Sequence, residues 1–484
     1  MMNLTLKEIA ECCGGELVLR ESIGSGVSAR CVCADTRVAS VVLDSRKVED
    51  GGMFVATVGE RVDGHKFVSD VFQKGVVAAL VQKTPDQVLA ETKEPVNWGT
   101  YILVDDTLQA LKAIAEFYRS KISAKVIGIT GSVGKTSTKE FIAGVLAQKY
   151  KVLKTEGNFN NEIGVPLTLL RIRDEHEIAV VEMGISDFGE MHRLSKMAKP
   201  DVCVITNIGQ CHLENLKTRD GILQAKSEIF DFMAENAEIC LNGEDDKLIT
   251  LTEVKGRKPH FFGLGSNAVQ EVYATDIQSK GLWGSEAVIN GITVQVPLPG
   301  SHMVLNAAAA TCVAGLFGLT EQEIAEGISK IIPVSGRNNL IRLPEYTLID
   351  DCYNANPASM KAAIDLLSLA DTEKVAILGD MFELGENSDA LHAEVGTYAA
   401  QVRIDRIVCV GENATHMYNA AKKVSDGLPL GERLEILHFA TRESLLHALA
   451  SRRNELVPEG CTVLIKASHG MKFVEVLDFL QDNL

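Results

Sequence analysis

Residues 131–136, Gly-Ser-Val-Gly-Lys-Thr, have the composition of a loop that binds the phosphates of a nucleotide. Glycines let backbone N–H groups surround a phosphate, and a helix that begins there adds partial positive charge. Lys135 would place a full charge beside the β- and γ-phosphates, and the Thr136 hydroxyl could ligate Mg²⁺. The strict Walker spacing fails, because Ile129 stands where its first glycine should be. A chance glycine-rich turn is the alternative, but the strand-like run before the loop and the helical pattern after it favour phosphate binding.

Two further residues could ligate the metal ion of such a site, which needs oxygen donors near the loop. Glu182 ends an apolar run, and a carboxylate there is either paired or metal-bound, since an isolated buried charge is costly. His212 stands just past a second apolar run. A salt bridge at the core edge is a fair alternative for Glu182, and a lone histidine is more often structural than a ligand.

Lys226 has apolar residues three and four positions away on both sides, namely Ile222, Leu223, Ile229 and Phe230. On a helix it would therefore lie in the middle of an apolar face. Such a lysine can extend its ammonium to water, which is the plain interpretation. The functional interpretation is a desolvated lysine with a lowered pKa. Its neutral amine could take up CO₂ and become a carbamate, which is an oxygen ligand for a metal.

The chain divides by pattern into three regions, which we interpret as domains of residues 1–122, 123–334 and 335–484. The first mixes short β runs with an amphipathic helix at 108–119. In the third, strand-like and helix-like runs alternate, which predicts a right-handed parallel α/β domain. Its binding crevice would lie at the carboxyl ends of the strands.

The second region contains the elements that must position the loop and the metal ligands. Buried strands are predicted at 126–130, 178–183 and 202–207, and each stops at polar residues. The glycine-rich loop follows the first of these strands, and a helix begins at Thr136.

Composition limits the class of protein. A chain of 484 residues and 52.4 kDa exceeds one hydrophobic core and indicates several domains. A net charge of −17 argues against nonspecific binding to nucleic acid or to an anionic membrane. No membrane insertion is expected, because the N-terminal residues lack a secretory signal and no apolar stretch is long enough to span a bilayer. The 11 cysteines, odd in number and without zinc-type spacing, indicate reduced thiols. We therefore expect a cytoplasmic protein, and we expect it to be a monomer.

Taken together, these motifs resemble those of the Mur ligase family of ATP-dependent amide-bond-forming enzymes, over nearly the whole chain. Glu182 and His212 match the family's metal-binding glutamate and histidine, and Lys226 matches its carbamylated lysine. Asn306 matches its adenine-side asparagine. Arg337, after a glycine, matches the arginine that reaches the γ-phosphate.

Other stretches resemble the parts of the family that bind its substrates. Residues 350–360 and 378–385 are similar to the branch that adds D-alanyl-D-alanine, and Asp351 matches the aspartate that holds the ATP ribose. Residues 44–48 resemble the UDP-sugar-binding domain. Residues 158–161 resemble the central loop that faces the muramyl-peptide.

The resemblance implies an α/β fold of three domains: a UDP-muramyl-peptide-binding domain, a central P-loop-type ATPase domain with a parallel sheet, and a C-terminal Rossmann-like domain that binds the ATP ribose and D-alanyl-D-alanine. It implies that ATP phosphorylates the terminal carboxylate of a UDP-muramyl-tripeptide. The amine of D-alanyl-D-alanine then attacks the acyl phosphate, in the synthesis of peptidoglycan precursors. The implied cofactors are ATP, Mg²⁺ as two ions, and the carbamylated lysine.

The same resemblance assigns roles to individual positions. The implied catalytic residues are Lys135, Lys226, His212 and Arg337. The implied ATP-binding residues are Gly131, Ser132, Val133, Gly134, Lys135, Thr136, Ser137, Asn306, Arg337 and Asp351. The implied substrate-binding residues are Asp44, Ser45, Arg46, Asn160, Asn161, Asn354 and Asn356. The implied metal ligands are Thr136, Glu182, His212 and Lys226 as its carbamate.

Some alternatives remain open from the sequence. For Asn354 and Asn356 the competing role is to form the turn before Pro357. A folylpolyglutamate synthase would share the loop and the lysine, although residues 44–46 and the Tyr-Asn-Ala-Asn-Pro stretch count against it. A regulatory protein that binds ATP without turnover is a third possibility, but the intact set of charged site residues argues against it.

Overall fold

The computed structural model describes residues 4–20, 31–59, 62–265, 269–333, 336 and 339–482. The described residues form three successive α/β units, each built on its own sheet, with five, nine and six strands. None of the described helices has the length and the apolar character needed to cross a membrane. The predicted α/β class, with a parallel central sheet and a Rossmann-like C-terminal sheet, is confirmed.

The first unit has a sheet with the strand order β1-β5-β4-β3-β2, parallel except for β1. Its strands are β1 (Glu16–Val18), β2 (Val41–Val42), β3 (Met53–Val55), β4 (Ala78–Val81) and β5 (Tyr101–Leu103). Its helices are α1 (Leu6–Cys13), α2 (Val68–Gln73), α3 (Pro85–Thr92) and α4 (Thr107–Arg119). The helix predicted at 108–119 is confirmed as α4. Its start is fixed by the Asp106 carboxylate, which accepts hydrogen bonds from backbone N–H groups of the first turn.

The central unit has the strand order β14-β13-β12-β11-β10-β9-β6-β8-β7. Strands β6 to β12 are all parallel to one another. Its strands are β6 (Lys125–Thr130), β7 (Val152–Lys154), β8 (Ile178–Glu182), β9 (Val202–Ile205), β10 (Glu238–Asn242), β11 (His260–Leu264), β12 (Val272–Ser279), β13 (Ser285–Ile289) and β14 (Ile292–Val296). Its helices are α5 (Lys135–Leu146), α6 (Gly164–Leu169), α7 (Glu190–Ala198), α8 (Leu213–Leu216), α9 (Arg219–Ser227), α10 (Ser301–Leu316) and α11 (Glu321–Ser329).

Strand β6 lies between β8 and β9 at the centre of this sheet. Because the three strands are parallel, their carboxyl ends meet at one edge. The glycine loop, Glu182 and the segment that leads to His212 follow these three strands, so topology alone brings them together.

The C-terminal unit has the strand order β15-β16-β20-β17-β18-β19, parallel except for β15. Its strands are β15 (Asn339–Arg342), β16 (Thr347–Asp350), β17 (Lys374–Gly379), β18 (Arg406–Val410), β19 (Glu435–Phe439) and β20 (Thr462–Lys466). Its helices are α12 (Pro357–Ser368), α13 (Ser388–Gln401), α14 (Ala414–Asp426), α15 (Arg442–Leu456) and α16 (Val474–Asp482). The predicted alternation of strands and helices is confirmed. It lets helices pack on both faces of the sheet, and an apolar core covers each face.

One continuous core joins the first unit to the central unit. Tyr118 on α4 is buried there, and its hydroxyl donates a hydrogen bond to the Ile172 carbonyl of the central unit at 2.5 Å. Nearby, Arg119 forms an ion pair with Asp201 at 2.8 Å. Helix α4 therefore belongs to the first unit by sequence and packs against the second.

We expect Tyr118→Phe to lower the free energy of unfolding by about 1 kcal/mol, the usual net value of one hydrogen bond. The loss stays modest because the Ile172 carbonyl keeps a second donor, the Arg173 guanidinium, at 2.9 Å. Urea denaturation measures the change. The control is Tyr273→Phe, since the Tyr273 hydroxyl has no hydrogen-bond partner among the described residues. An equal loss in both variants would contradict this interpretation of the junction.

Candidate active site

A cleft with a volume of about 740 Å³ lies between the central unit and the C-terminal unit. Its lining comes from segments after β6, β8 and β9, from α10, and from segments after β16, β17 and β20. These are carboxyl ends of parallel strands in both sheets, the edge at which α/β proteins bind ligands. The predicted site residues that line the cleft are Ser132, Val133, Gly134, Lys135, Ser137, Asn160, Asn161, Glu182, His212, Asn306, Asp351, Asn354 and Asn356.

The glycine loop is shaped by the residues that follow β9. The side-chain oxygen of Asn207 accepts a hydrogen bond from the Val133 N–H at 2.9 Å. Gly131 has φ +151°, and a β-carbon there would overlap the Thr206 hydroxyl, so this position requires glycine. Ile129 lies inside β6. The turn therefore begins later than in a Walker loop, and position 129 needs no glycine.

Two predicted nucleotide-binding side chains lie on α5 and α10. Lys135 opens α5 and donates a hydrogen bond to the Gly131 carbonyl at 2.7 Å, so its ammonium lies against the loop. Asn306 is buried on α10, and its side-chain oxygen accepts a hydrogen bond from the Thr138 hydroxyl of α5 at 2.8 Å. The two helices thus hold Lys135 and Asn306 on one wall of the cleft.

Glu182 ends β8 with only 1% of its surface exposed, but its charge is not isolated. One carboxylate oxygen accepts from the Thr136 hydroxyl and the other from the Asn160 amide, both at 2.8 Å. The Lys139 ammonium lies 3.9 Å from the same carboxylate and supplies an opposite charge. Oxygen atoms of Thr136 and Glu182 are ligands that Mg²⁺ prefers, so the donor set fits that metal. Sequence reasoning missed Lys139 and the contact of Asn160 with Glu182, and the substrate role of Asn160 stays a prediction.

Lys226 and His212 lie within electrostatic reach of the phosphate loop. Lys226 is buried on α9, and the loss of water around its ammonium lowers its pKa to about 8. Burial also lowers the pKa of His212, and the charges of Lys226 and Lys135 act in the same direction. The structure thus places Lys226 near Lys135 and His212, but of the three only Lys135 and His212 line the cleft.

Among the residues that the structure describes, no group of three or more His, Cys, Asp or Glu side chains is arranged to hold a metal ion. Of these four residue types, the predicted metal site contains only Glu182 and His212, and both line the cleft. It therefore needs further oxygen atoms, which can come from Thr136, from the phosphates of a nucleotide, or from a carbamate on Lys226.

Asp351, the predicted ribose ligand, follows β16 and contacts a lysine to which the sequence gave no role. The Lys466 ammonium, at the end of β20, lies 2.5 Å from the Asp351 carboxylate and donates to the Asn354 carbonyl at 3.0 Å. Lys466 is 2% exposed, so this ion pair is buried. The signal that singled out Glu182, a charged residue at the end of an apolar strand, could also have identified Lys466.

Arg337 lies outside the described residues, but its neighbour Gly336 is described. The Gly336 N–H donates to the buried Asp350 carboxylate at 2.7 Å, and its carbonyl accepts from the Tyr353 N–H at 3.2 Å. Asp350 therefore holds the backbone next to Arg337, a role that sequence reasoning missed.

Three asparagines predicted to bind substrate use their amide oxygens for local structure. The Asn354 oxygen accepts from the Ala355 N–H at 2.9 Å. The Asn356 oxygen accepts from the Ser359 N–H at 2.9 Å and caps α12. This is the local, turn-forming role named as the alternative, and the substrate role of Asn356 stays a prediction. The Asn161 oxygen accepts from the Gly164 N–H at 2.9 Å, at the start of α6.

Asp44, Ser45 and Arg46 lie in the first unit and do not line the cleft. The Arg46 guanidinium donates two hydrogen bonds to the Asp44 carboxylate, each at 2.9 Å, and they lower the pKa of Asp44 to about 2. The Lys74 ammonium donates to the Ser45 carbonyl at 2.8 Å. The structure thus groups these predicted UDP-binding residues with one another and apart from the nucleotide loop.

Comparison with known families finds three matches along the chain. Residues 37–119 match the Mur ligase family catalytic domain, residues 129–314 the Mur ligase middle domain, and residues 336–469 the Mur ligase glutamate ligase domain. Among solved structures, a MurF from Acinetobacter baumannii is 30% identical with a TM-score of 0.83, and 99% of this chain and 98% of that chain are covered. A MurF from Thermotoga maritima, in complex with ADP, is 30% identical with a TM-score of 0.76, and 92% of this chain and 97% of that chain are covered.

Curated relatives extend the similarity over the full length. The UDP-N-acetylmuramoyl-tripeptide–D-alanyl-D-alanine ligase of Bacillus subtilis is 36% identical, covering 100% of this chain and 99% of the relative. The ligase of the same name from Escherichia coli is 33% identical, again covering 100% and 99%. This chain therefore belongs to the Mur ligase family, in the same group as the UDP-N-acetylmuramoyl-tripeptide–D-alanyl-D-alanine ligases.

Proposed function

We propose that this ATP-dependent ligase joins the terminal carboxylate of a UDP-N-acetylmuramoyl-tripeptide to the amine of D-alanyl-D-alanine and releases ADP and phosphate. The observation that carries the proposal is the cleft in which the phosphate loop, the Thr136–Glu182 pair and His212 face the C-terminal unit. The full-length similarity to ligases named for these substrates supports the same assignment.

In this reaction a carboxylate oxygen of the tripeptide attacks the γ-phosphorus, and ADP leaves. The amine of the dipeptide then attacks the carbonyl carbon of the acyl phosphate, phosphate leaves, and the amine loses a proton. The carboxylate and the triphosphate repel each other, so the first step needs positive charge. Lys135 and Arg337 supply it, and it stabilises the transition state more strongly than the separated reactants.

Thr136, Glu182, His212 and Lys226 as its carbamate would hold Mg²⁺, as two ions. When bound, the metal neutralises phosphate charge and orients the phosphoryl group. The lowered pKa of Lys226 supports the carbamate, because only a neutral amine can take up CO₂. The carbamate also replaces a buried positive charge by a negative one that can pair with the metal.

The other predicted residues bind the remaining parts of the substrates. Asp351 holds the ATP ribose, and its contact with Lys466 fixes its position. Asn354 lines the cleft and contacts D-alanyl-D-alanine. The domain of residues 1–122 binds the UDP-sugar through residues 44–46, and domains 123–334 and 335–484 bind the other ligands. The enzyme acts as a monomer.

The acceptor can be tested by phosphate release. We expect release from ATP that requires both UDP-N-acetylmuramoyl-tripeptide and D-alanyl-D-alanine, because the acyl phosphate needs an amine that fits the cleft. Folate plus glutamate serves as the control pair for the rival folylpolyglutamate synthase. Release with folate and glutamate alone would replace the proposal, and ATP binding without release under any condition would support a regulatory protein.

The charge of the loop lysine can be tested by substitution. We expect Lys135→Ala to lower turnover about 100-fold or more, because one charge that stabilises the transition state is removed. Circular dichroism should show an unchanged fold. Lys151→Ala is the matched control, since Lys151 is exposed and its side chain has no partner among the described residues. Normal turnover in Lys135→Ala would refute the role of the phosphate loop.

The buried lysine predicts a pH dependence of stability. In CO₂-free buffer the folded state binds the Lys226 proton less tightly than the unfolded state does, with a pKa of about 8 against 10.5. Lys226→Met should therefore raise the free energy of unfolding at pH 7 by up to about 3 kcal/mol. The gain should shrink as the pH rises from about 8 to 10.5, because wild-type Lys226 is then neutral in the folded state while the unfolded state still binds the proton.

Ligation and carbamate formation test the same residue independently. Lys226→Met should abolish ligation although it stabilises the fold, and ¹³C-labelled bicarbonate should give a carbamate signal in the wild type alone. An equally strong carbamate signal in Lys226→Met would place the modification elsewhere. A loss of stability at pH 7 would show that the buried ammonium is not a cost to the fold.

A further inference from the structure

We propose that Glu383 of the C-terminal unit is a positioning residue for the metal ligand His212 of the central unit, so that metal affinity depends on docking of the two units. The inference rests on the proposed function, which makes His212 a metal ligand. It concerns a residue to which the sequence motifs gave no role.

The contact itself crosses the boundary between the units. The Nδ1 atom of His212 lies 2.8 Å from a carboxylate oxygen of Glu383. A carboxylate can only accept, so Nδ1–H is the donor and the neutral ring keeps its lone pair on Nε2. A carboxylate behind a metal-binding histidine commonly selects the tautomer and ring orientation in this way. Here the carboxylate and the histidine come from different units.

Both residues have a strained backbone. His212 has φ +51° and Glu383 has φ +61°, in the left-handed region that side chains other than glycine rarely adopt. Such conformations cost on the order of 1–3 kcal/mol each and persist where the surrounding structure holds them. Two strained residues from separate units that meet at one hydrogen bond point to a geometric requirement at this contact.

Packing around the ion pair fixes the approach of the two segments. Leu213, next to His212, packs against the core of the central unit and also against the core of the C-terminal unit. On the other side, Gly385 lies against Glu214, since a β-carbon on it would come within 3.7 Å of the Glu214 backbone. The segments around His212 and Glu383 are therefore in contact along several residues.

A role in stability alone does not account for this ion pair. The Glu383 side chain is 62% exposed, and exposed ion pairs contribute about 0–1 kcal/mol. That is less than the cost of the two strained residues. The role of the ion pair that remains is to orient the His212 ring at the cleft.

Thermodynamic linkage makes the effect reciprocal. If docking of the C-terminal unit raises the metal affinity of the central unit, bound metal must favour docking by the same factor. Phosphoryl transfer chemistry would then be available only when the unit that carries the amine acceptor is in place.

The test measures Mn²⁺ binding to the full chain in the presence of ADP, without any peptide substrate. We expect Glu383→Ala to weaken Mn²⁺ binding about 10- to 100-fold, the usual effect of removing such a partner. Its thermal midpoint should stay close to that of the wild type. Glu386→Ala is the matched control, because Glu386 lies on the same segment, is exposed, and has no ion-pair partner among the described residues.

A conservative variant separates hydrogen bonding from charge. Glu383→Gln can still accept the Nδ1–H bond, so it should recover most of the affinity lost in Glu383→Ala. Mn²⁺ affinity of Glu383→Ala within twofold of Glu386→Ala would overturn the proposal. If wild-type enzyme releases no phosphate with the proposed substrates but the affinities follow this order, the proposed function fails and the positioning role stands.

Discussion

The loss of water around ionisable side chains collected at one edge of the central sheet is the constraint on which the rest of the structure depends. Because β6 lies between β8 and β9, the chain cannot fold without bringing Lys135 and His212 to the same edge, and Lys226 joins them from α9. Burial of the Lys226 ammonium costs free energy, as its lowered pKa indicates. In the proposed function a carbamate on Lys226 would remove that cost, and a triphosphate would pair with Lys135.

The three units are joined in two different ways, and each suits a different task. The first and central units share a continuous apolar core with Tyr118 inside it. The C-terminal unit has its own two cores, and Leu213 and Leu282 of the central unit pack against one of them. Between those points lies the cleft, lined by polar side chains from both units. A large apolar junction favours one fixed arrangement, whereas small apolar contacts around a polar cleft permit movement.

Much of the fold and part of the site could be predicted from sequence, because those signals are local. Apolar runs ending at polar residues located β6, β8 and β9, and with them the loop and Glu182. The position of Lys466 at the end of an apolar strand gave a local signal, but its partner Asp351 and the Glu383 contact with His212 join distant segments and left none. Asn356 shows a different limit, since a residue that matches a binding motif also caps a helix, and the sequence alone does not separate the two roles.

The hydrogen bond from Asn160 to Glu182 has a consequence for the sequence of events during turnover. Asn160 belongs to the loop expected to face the muramyl-peptide, and Glu182 is the carboxylate expected to hold the metal of the nucleotide. One hydrogen bond thus links the two ligands. If both roles hold, a ligand that restrains one of these two side chains would also restrain the other. Binding of the donor and of the nucleotide would then be coupled through a single amide side chain.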